Sequence, residues 1–235
     1  MKTSLVKISV GQAAVIAGIA IVSMTIAAVV ATDVSIGKLT ISEDPTATFE
    51  NIKNNQMLFR IGVLSWIVVL VSDIVAAWGL YLFFKPISEG ISLVSAWLRI
   101  VYTAILGTSI LNFSYILELF NTDYQQIIFG EPHLVSQTWI FLTRFDTSWS
   151  IGLIIFALHI LALGYLCLKS NYVPKLISIF LVIGGMGYFI IHTSRLLVPE
   201  YQSAIEILNW IFILPMLSEV ALGIWLLVKG KNIQK

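Results

Sequence analysis

Six long apolar stretches leave this chain few ways to fold. They cover approximately 9–32, 61–84, 91–118, 149–168, 173–195 and 206–229. Each is long enough to cross a hydrocarbon core of about 30 Å at about 1.5 Å per helical residue. Inside such a core the backbone must close its own hydrogen bonds, and no alternating strand pattern competes. The expected fold is therefore all-α: a six-helix transmembrane bundle forming a single integral-membrane domain over 1–235. Composition agrees, since only 11% of residues are charged where soluble domains carry about a quarter. Met1–Lys7 has the charge of a signal peptide. The stretch from Ser9 to Thr32 exceeds the roughly 7–15 residues of a signal core, and is read as a retained first helix.

Basic residues set the expected orientation. With the N-terminus inside, Lys2, Lys7, Lys85, Lys169, Lys175, Lys229, Lys231 and Lys235 fall on the cytoplasmic side. Lys38, Lys53, Arg60, Arg144 and Arg195 fall outside, beside longer loops that also collect Asp33, Glu43, Asp44, Glu50, Asp123, Glu131, Asp146 and Glu200. Both termini are expected to be cytoplasmic. The two long external loops are expected to carry short interfacial helices. Asp44 caps one and Pro45 opens it, with Phe49 and Ile52 as its apolar edge. Leu134, Val135, Trp139, Ile140 and Leu142 mark the other. Trp149 and Trp210 are expected in aromatic belts, and Pro215 should bend the sixth helix one turn before Glu219.

Four ionisable residues interrupt four separate apolar stretches: Asp73, Arg99, His159 and Glu219. Helix rise places them about 15–20 Å from the external boundary, in one layer. A charge at that depth costs roughly 2.5–3.5 kcal/mol on insertion scales unless it meets partners or water. Their faces point inward. Arg99 continues a stripe of Ser92, Ser95, Tyr102 and Thr103, and Glu219 shares a face with Gly223. The simplest arrangement is an ion-pair network with Arg99 bridging Asp73, Glu219 or both, and His159 either protonated or neutral. Such a network either holds the helices in register or receives a proton, a cation or the polar end of an amphipathic ligand. A second polar layer, Arg60, Arg144, Asp146, His192, Arg195 and Glu206, lies near the external face. It consists of solvated interfacial side chains or of the lining of a vestibule.

Other chemistries find little support. His133, His159 and His192 lie at different depths and form no His-x-x-x-His pair, so neither a common metal site nor bis-histidine haem is expected. No cofactor is expected. Hydrolase elbow, Walker loop and dinucleotide fingerprint are all absent. A net charge of +1 without a basic tract offers nothing to nucleic acid. Cys167 stands alone in the sequence, so no intrachain disulfide can form.

Several spaced motifs carry a resemblance. They are Leu58-Phe59-Arg60-Ile-Gly62, Asp73 with Leu80-Tyr81-Leu-Phe83, and Ala96-Trp97-Leu98-Arg99. Further along come Asp146-x-x-Trp149-x-Ile-Gly152, Phe156-Ala-Leu-His159, Lys169-Ser170-Asn-Tyr172-Val-Pro174 and Gly185-x-Gly187-Tyr188. Together they resemble the bacterial integral-membrane family catalogued as DUF4386, a domain of unknown function, over about residues 9–229. The resemblance implies a multi-pass protein of the bacterial cytoplasmic membrane and no particular activity. Three readings follow from the residues. The first is binding or proton-linked translocation of a small or lipophilic solute through the midplane cluster. The second is an intramembrane lipid-modifying enzyme using His159 with Asp73 or Glu219. The third is a structural accessory subunit of a membrane complex. Lipids are the expected surroundings in each case, and the sequence names no protein partner.

Overall fold

The computed structural model describes residues 8–120 and 130–233, so Asp123 and the terminal lysines Lys2, Lys7 and Lys235 lie outside the described residues. The described residues form an all-α bundle with six helices long and apolar enough to cross a membrane. In chain order the helices are α1 (Val10–Val29), continued by a π turn (Val30–Ser35) and α2 (Ile36–Leu39), then α3 (Pro45–Asn54), α4 (Gln56–Phe84) and α5 (Glu89–Phe120). After these come α6 (Glu131–Ser170), α7 (Lys175–Leu197), α8 (Gln202–Met216) and α9 (Ser218–Val228).

Sequence neighbours pack side by side, α1 on α4, α4 on α5, α5 on α6 and α6 on α7. The circle closes where α9 reaches both α7 and α1. By contrast α8 packs chiefly on α7, leaving Ile207, Trp210 and Ile211 exposed. Outward faces are mostly apolar, as with Leu64, Val68 and Val71 on α4 and Val94, Trp97 and Val101 on α5. A ring of helices with apolar residues turned outward suits a lipid surround, because no hydrophobic gain is lost there.

Small residues decide how closely the helices approach. Gly18 on α1 lies against Gly223 and Leu227, and Gly185 on α7 lies against Leu161. Gly79 on α4 sits against the α1 backbone, where a Cβ would come within 2.8 Å of the Ala17 amide nitrogen. Ser9 and Gln12 bond reciprocally at the start of α1, which satisfies two otherwise orphaned donors. Asp44 likewise accepts from the Ala47 amide at 2.9 Å and caps α3, with Phe49 and Ile52 buried. Lys53 joins α3 to the first turn of α6 through Glu50 at 3.1 Å and Glu131 at 3.2 Å. Those hydrogen bonds hold its ammonium above the ordinary lysine range.

Three expectations need correction. The segment from Leu134 to Leu142 is not a separate interfacial helix; it forms the first turns of α6, which runs unbroken for 40 residues. At 1.5 Å per residue that is about 60 Å, so α6 stands well proud of a bilayer core. The polar stretch between Thr143 and Ser148 does not break it. Thr143, Thr147 and Ser148 each turn their hydroxyl back to the carbonyl four residues earlier, so these three hydroxyls are satisfied within the helix. The first span also runs further than expected, through the π turn to Leu39. Ser35 anchors that turn by bonding the Leu58 carbonyl on α4. Third, Trp149 turns inward against Trp66, with ring centroids 4.9 Å apart, rather than standing in a belt. The sixth span is interrupted at Leu217, between α8 and α9 and two residues after Pro215.

Candidate functional site: a saturated arginine and a free carboxylate oxygen

Arg99 is completely buried at the centre of the bundle. Its guanidinium has five N–H donors; four make hydrogen bonds, and Nη2 adds an ion-pair contact. Nε donates to Asp73 Oδ1 at 2.9 Å, and Nη2 reaches the same oxygen at 2.7 Å. Nη2 also donates to Met24 Sδ at 3.2 Å. Nη1 donates to Glu219 Oε1 and faces His159 Nε2 at 3.0 Å. Four spans thus converge on one residue of α5: α4 brings Asp73, α6 His159, α9 Glu219 and α1 Met24. Phe156 adds its ring face 5.5 Å from the guanidinium carbon, a favourable cation–π arrangement away from water.

This geometry decides the state of His159. Its Nε2 meets an arginine N–H, so it must present a lone pair there. The proton then belongs on Nδ1, which lies 2.9 Å from the Ser95 carbonyl and 2.9 Å from Ser95 Oγ. His159 is a neutral acceptor. Both of its nitrogens are engaged, and neither is left to remove a proton from a substrate.

With His159 neutral, one guanidinium faces two carboxylates, and the cluster carries one excess negative charge. Asp73 is fully buried, and its Oδ2 has no hydrogen-bond partner among the described residues. An ionised oxygen left bare in a low-dielectric interior is expensive. The arginine is saturated; the aspartate is not.

Aromatic side chains separate this cluster from a cleft. Tyr102 and Tyr188 pack on Phe156 at 4.8 and 5.5 Å between centroids. Beyond them Trp149 donates from its indole to Tyr102 Oη at 3.4 Å, and His192 stacks on Tyr188 at 6.1 Å. A cleft of about 490 Å³ opens there, lined by Asp146, Trp149, Ser150, His192 and Arg195 among others. Ser150 Oγ lies 2.8 Å from His192 Nδ1. Beside His159, the gap bounded by Leu80, Phe84, Leu163 and Leu166 is too small to hold a water molecule.

The sequence-derived outer layer is therefore divided. Asp146, His192 and Arg195 share the cleft. Arg144 lines a separate, shallower groove with Thr108 and Asn112, and stands over Phe141 at 5.9 Å. Arg60 is exposed near the start of α4, and Glu206 on α8. Sequence reasoning missed Met24, a methionine on an apolar helix that carries no signal of polar contact. Tyr188 was legible only as part of a motif. Among the described residues, no three His, Cys, Asp or Glu side chains are placed to hold a metal ion.

The profile of the family described as "Domain of unknown function (DUF4386)" matches residues 16–230. The chain belongs to this family. The match spans every helix that supplies the cluster, from Met24 to Glu219. A relative from Archaeoglobus fulgidus, described as an uncharacterized protein, is 28% identical over 168 residues, covering 72% of this chain and 83% of its own length. This relative is archaeal, so the bacterial origin suggested by the motifs is not borne out. No solved structure gives a significant match.

Proposed function

We propose that this multi-pass membrane protein binds or moves a small or lipophilic solute in exchange for a proton held by Asp73. The carrying observation is the buried, unpartnered Asp73 Oδ2 beside a cluster with one excess negative charge. A proton on Oδ2 makes the cluster neutral, while Oδ1 keeps its contacts with Nε and Nη2 of Arg99. A hydrogen-bond-donating or cationic guest arriving through the aromatic layer would replace that proton. A lock that merely holds helices in register accounts for the saturated Arg99, but it gives no reason to leave one oxygen bare. The lysine-rich side of the chain supports a setting in a prokaryotic cytoplasmic membrane with both termini inside and the cleft facing out.

The reading can be tested in sealed vesicles carrying the purified protein and a trapped pH indicator. A panel of amphipathic amines added outside should elicit a change in internal pH with the wild type. Asp73→Asn, which keeps the shape and the Oδ1-type acceptor but holds no titratable proton, should reduce the response by at least tenfold while still inserting. Equal responses from both proteins, or none from the wild type with any amine, would sink the proposal.

A further inference from the structure

A second cleft, of about 420 Å³, lies between the end of the first span and the outer half of α6, and shares Asp146 and Trp149 with the first. Five of its lining residues are aromatic: Trp66, Phe113, Trp139, Phe145 and Trp149. Four of these rings pack as one cluster at mixed angles, with Trp66 5.1 Å from Phe145 and 4.9 Å from Trp149, and Phe113 4.1 Å from Phe145; Trp66, Phe113 and Phe145 are buried, while Trp139 and Trp149 are half-buried. Among the described lining residues Asp146 is the one carboxylate. No described cation pairs with Asp146 within 4 Å; the nearest influence is Arg195, which lines the neighbouring cleft. No hydrogen bond from a described residue reaches its carboxylate.

We propose that this aromatic cleft is a binding site for an organic ammonium ion, with Asp146 as its counter-charge. Ring faces attract a weakly hydrated cation through their quadrupoles, and tryptophan does so best. Quaternary ammonium groups, which cannot hydrogen-bond, depend on such aromatic walls. The carboxylate at the rim supplies the charge and the long-range pull. An anion would meet Asp146 and gain nothing from the rings; a neutral apolar molecule would leave the carboxylate unused. The ammonium could belong to a free amine or to a lipid headgroup. The inference extends the proposed function by naming an occupant for the mouth. Equilibrium binding reports it without any proton movement, so the two can fail separately.

The test is a titration of intrinsic tryptophan fluorescence with the full-length protein in phosphatidylglycerol nanodiscs. Choline is compared with 3,3-dimethylbutan-1-ol, its neutral isostere. Choline should bind about tenfold more tightly or better. Asp146→Asn should remove that preference, Asp146→Glu should keep it, and Trp139→Leu should weaken choline binding several-fold. Repeating the titration in phosphatidylcholine nanodiscs identifies the source. Weaker apparent choline binding means that the headgroup already occupies the cleft, and unchanged binding assigns the site to free amines. Equal affinity for choline and the alcohol, or a choline preference that survives Asp146→Asn, would overturn the assignment.

Discussion

Arg99→Met is expected to destabilise the protein by about 3–5 kcal/mol, the usual range when one partner of a buried ion network is removed. The methionine fills most of the same space, so the loss is electrostatic rather than a cavity effect. Asp73 and Glu219 would be left facing each other without the guanidinium whose hydrogen bonds they accept. His159 would lose the donor at its Nε2. The check is thermal unfolding in a mild detergent, read by fluorescence or by retention of the monodisperse peak. A triple replacement, Asp73→Leu, Arg99→Met and Glu219→Leu, removes both charges together with their partner. It is expected to recover most of the loss, because a well-packed apolar substitute for a buried ion network is often neutral or stabilising. The two variants separate stability from function: the triple variant should fold and yet fail to couple amine addition to proton movement. If Arg99→Met melts with the wild type, the guanidinium is not holding the bundle together.

The second large effect comes from a single methyl group. Gly79→Ala would place its Cβ 2.8 Å from the Ala17 amide nitrogen and 3.0 Å from the Ala17 Cβ. Backbone cannot rotate away as a flexible side chain can, so α1 and α4 must separate. Overpacking of this kind typically destabilises by about 1–3 kcal/mol. Because α1 brings Met24 to Arg99 and α4 brings Asp73, the displacement should reach the cluster as well. Gly90→Ala is the internal comparison. It is the same chemical change in the first turn of α5, where a Cβ meets nothing within 4 Å, and it should leave the melting temperature unchanged or slightly raised. Equal melting of the two variants would mean that the α1–α4 approach is not tight.

Much of this was legible in the sequence, for physical reasons that differ by residue. An ionisable side chain in a lipid-spanning helix has so few tolerable surroundings that Asp73, Arg99, His159 and Glu219 could be expected to meet. Helix rise alone then put them in one layer. The Asp44–Pro45 start of α3 was equally plain, since an N-cap acts through residues adjacent in sequence. What stayed hidden depends on longer-range packing. The continuity of α6 rests on hydroxyls at Thr143, Thr147 and Ser148 turning back to their own helix, where a polar stretch otherwise reads as a loop. The tautomer of His159 depends on which of its own two nitrogens faces the arginine. Trp149 was read as an interfacial anchor because tryptophans favour that place; Trp66 and Phe145 draw it inward instead. Met24 could not have been singled out, because thioether acceptance leaves no mark in composition.

Central to all of this is the proton on Asp73 Oδ2, and infrared spectroscopy of the carboxyl groups tests it most directly. A protonated buried carboxylic acid absorbs apart from ionised carboxylates, and its band shifts when deuterium replaces the proton. The wild type should show such a band, shifting in heavy water and missing in Asp73→Asn, and an amine that enters the cluster should diminish it. A wild-type spectrum identical to that of Asp73→Asn in this region, with or without amine, would contradict a protonated Asp73 and with it the proton-exchange function.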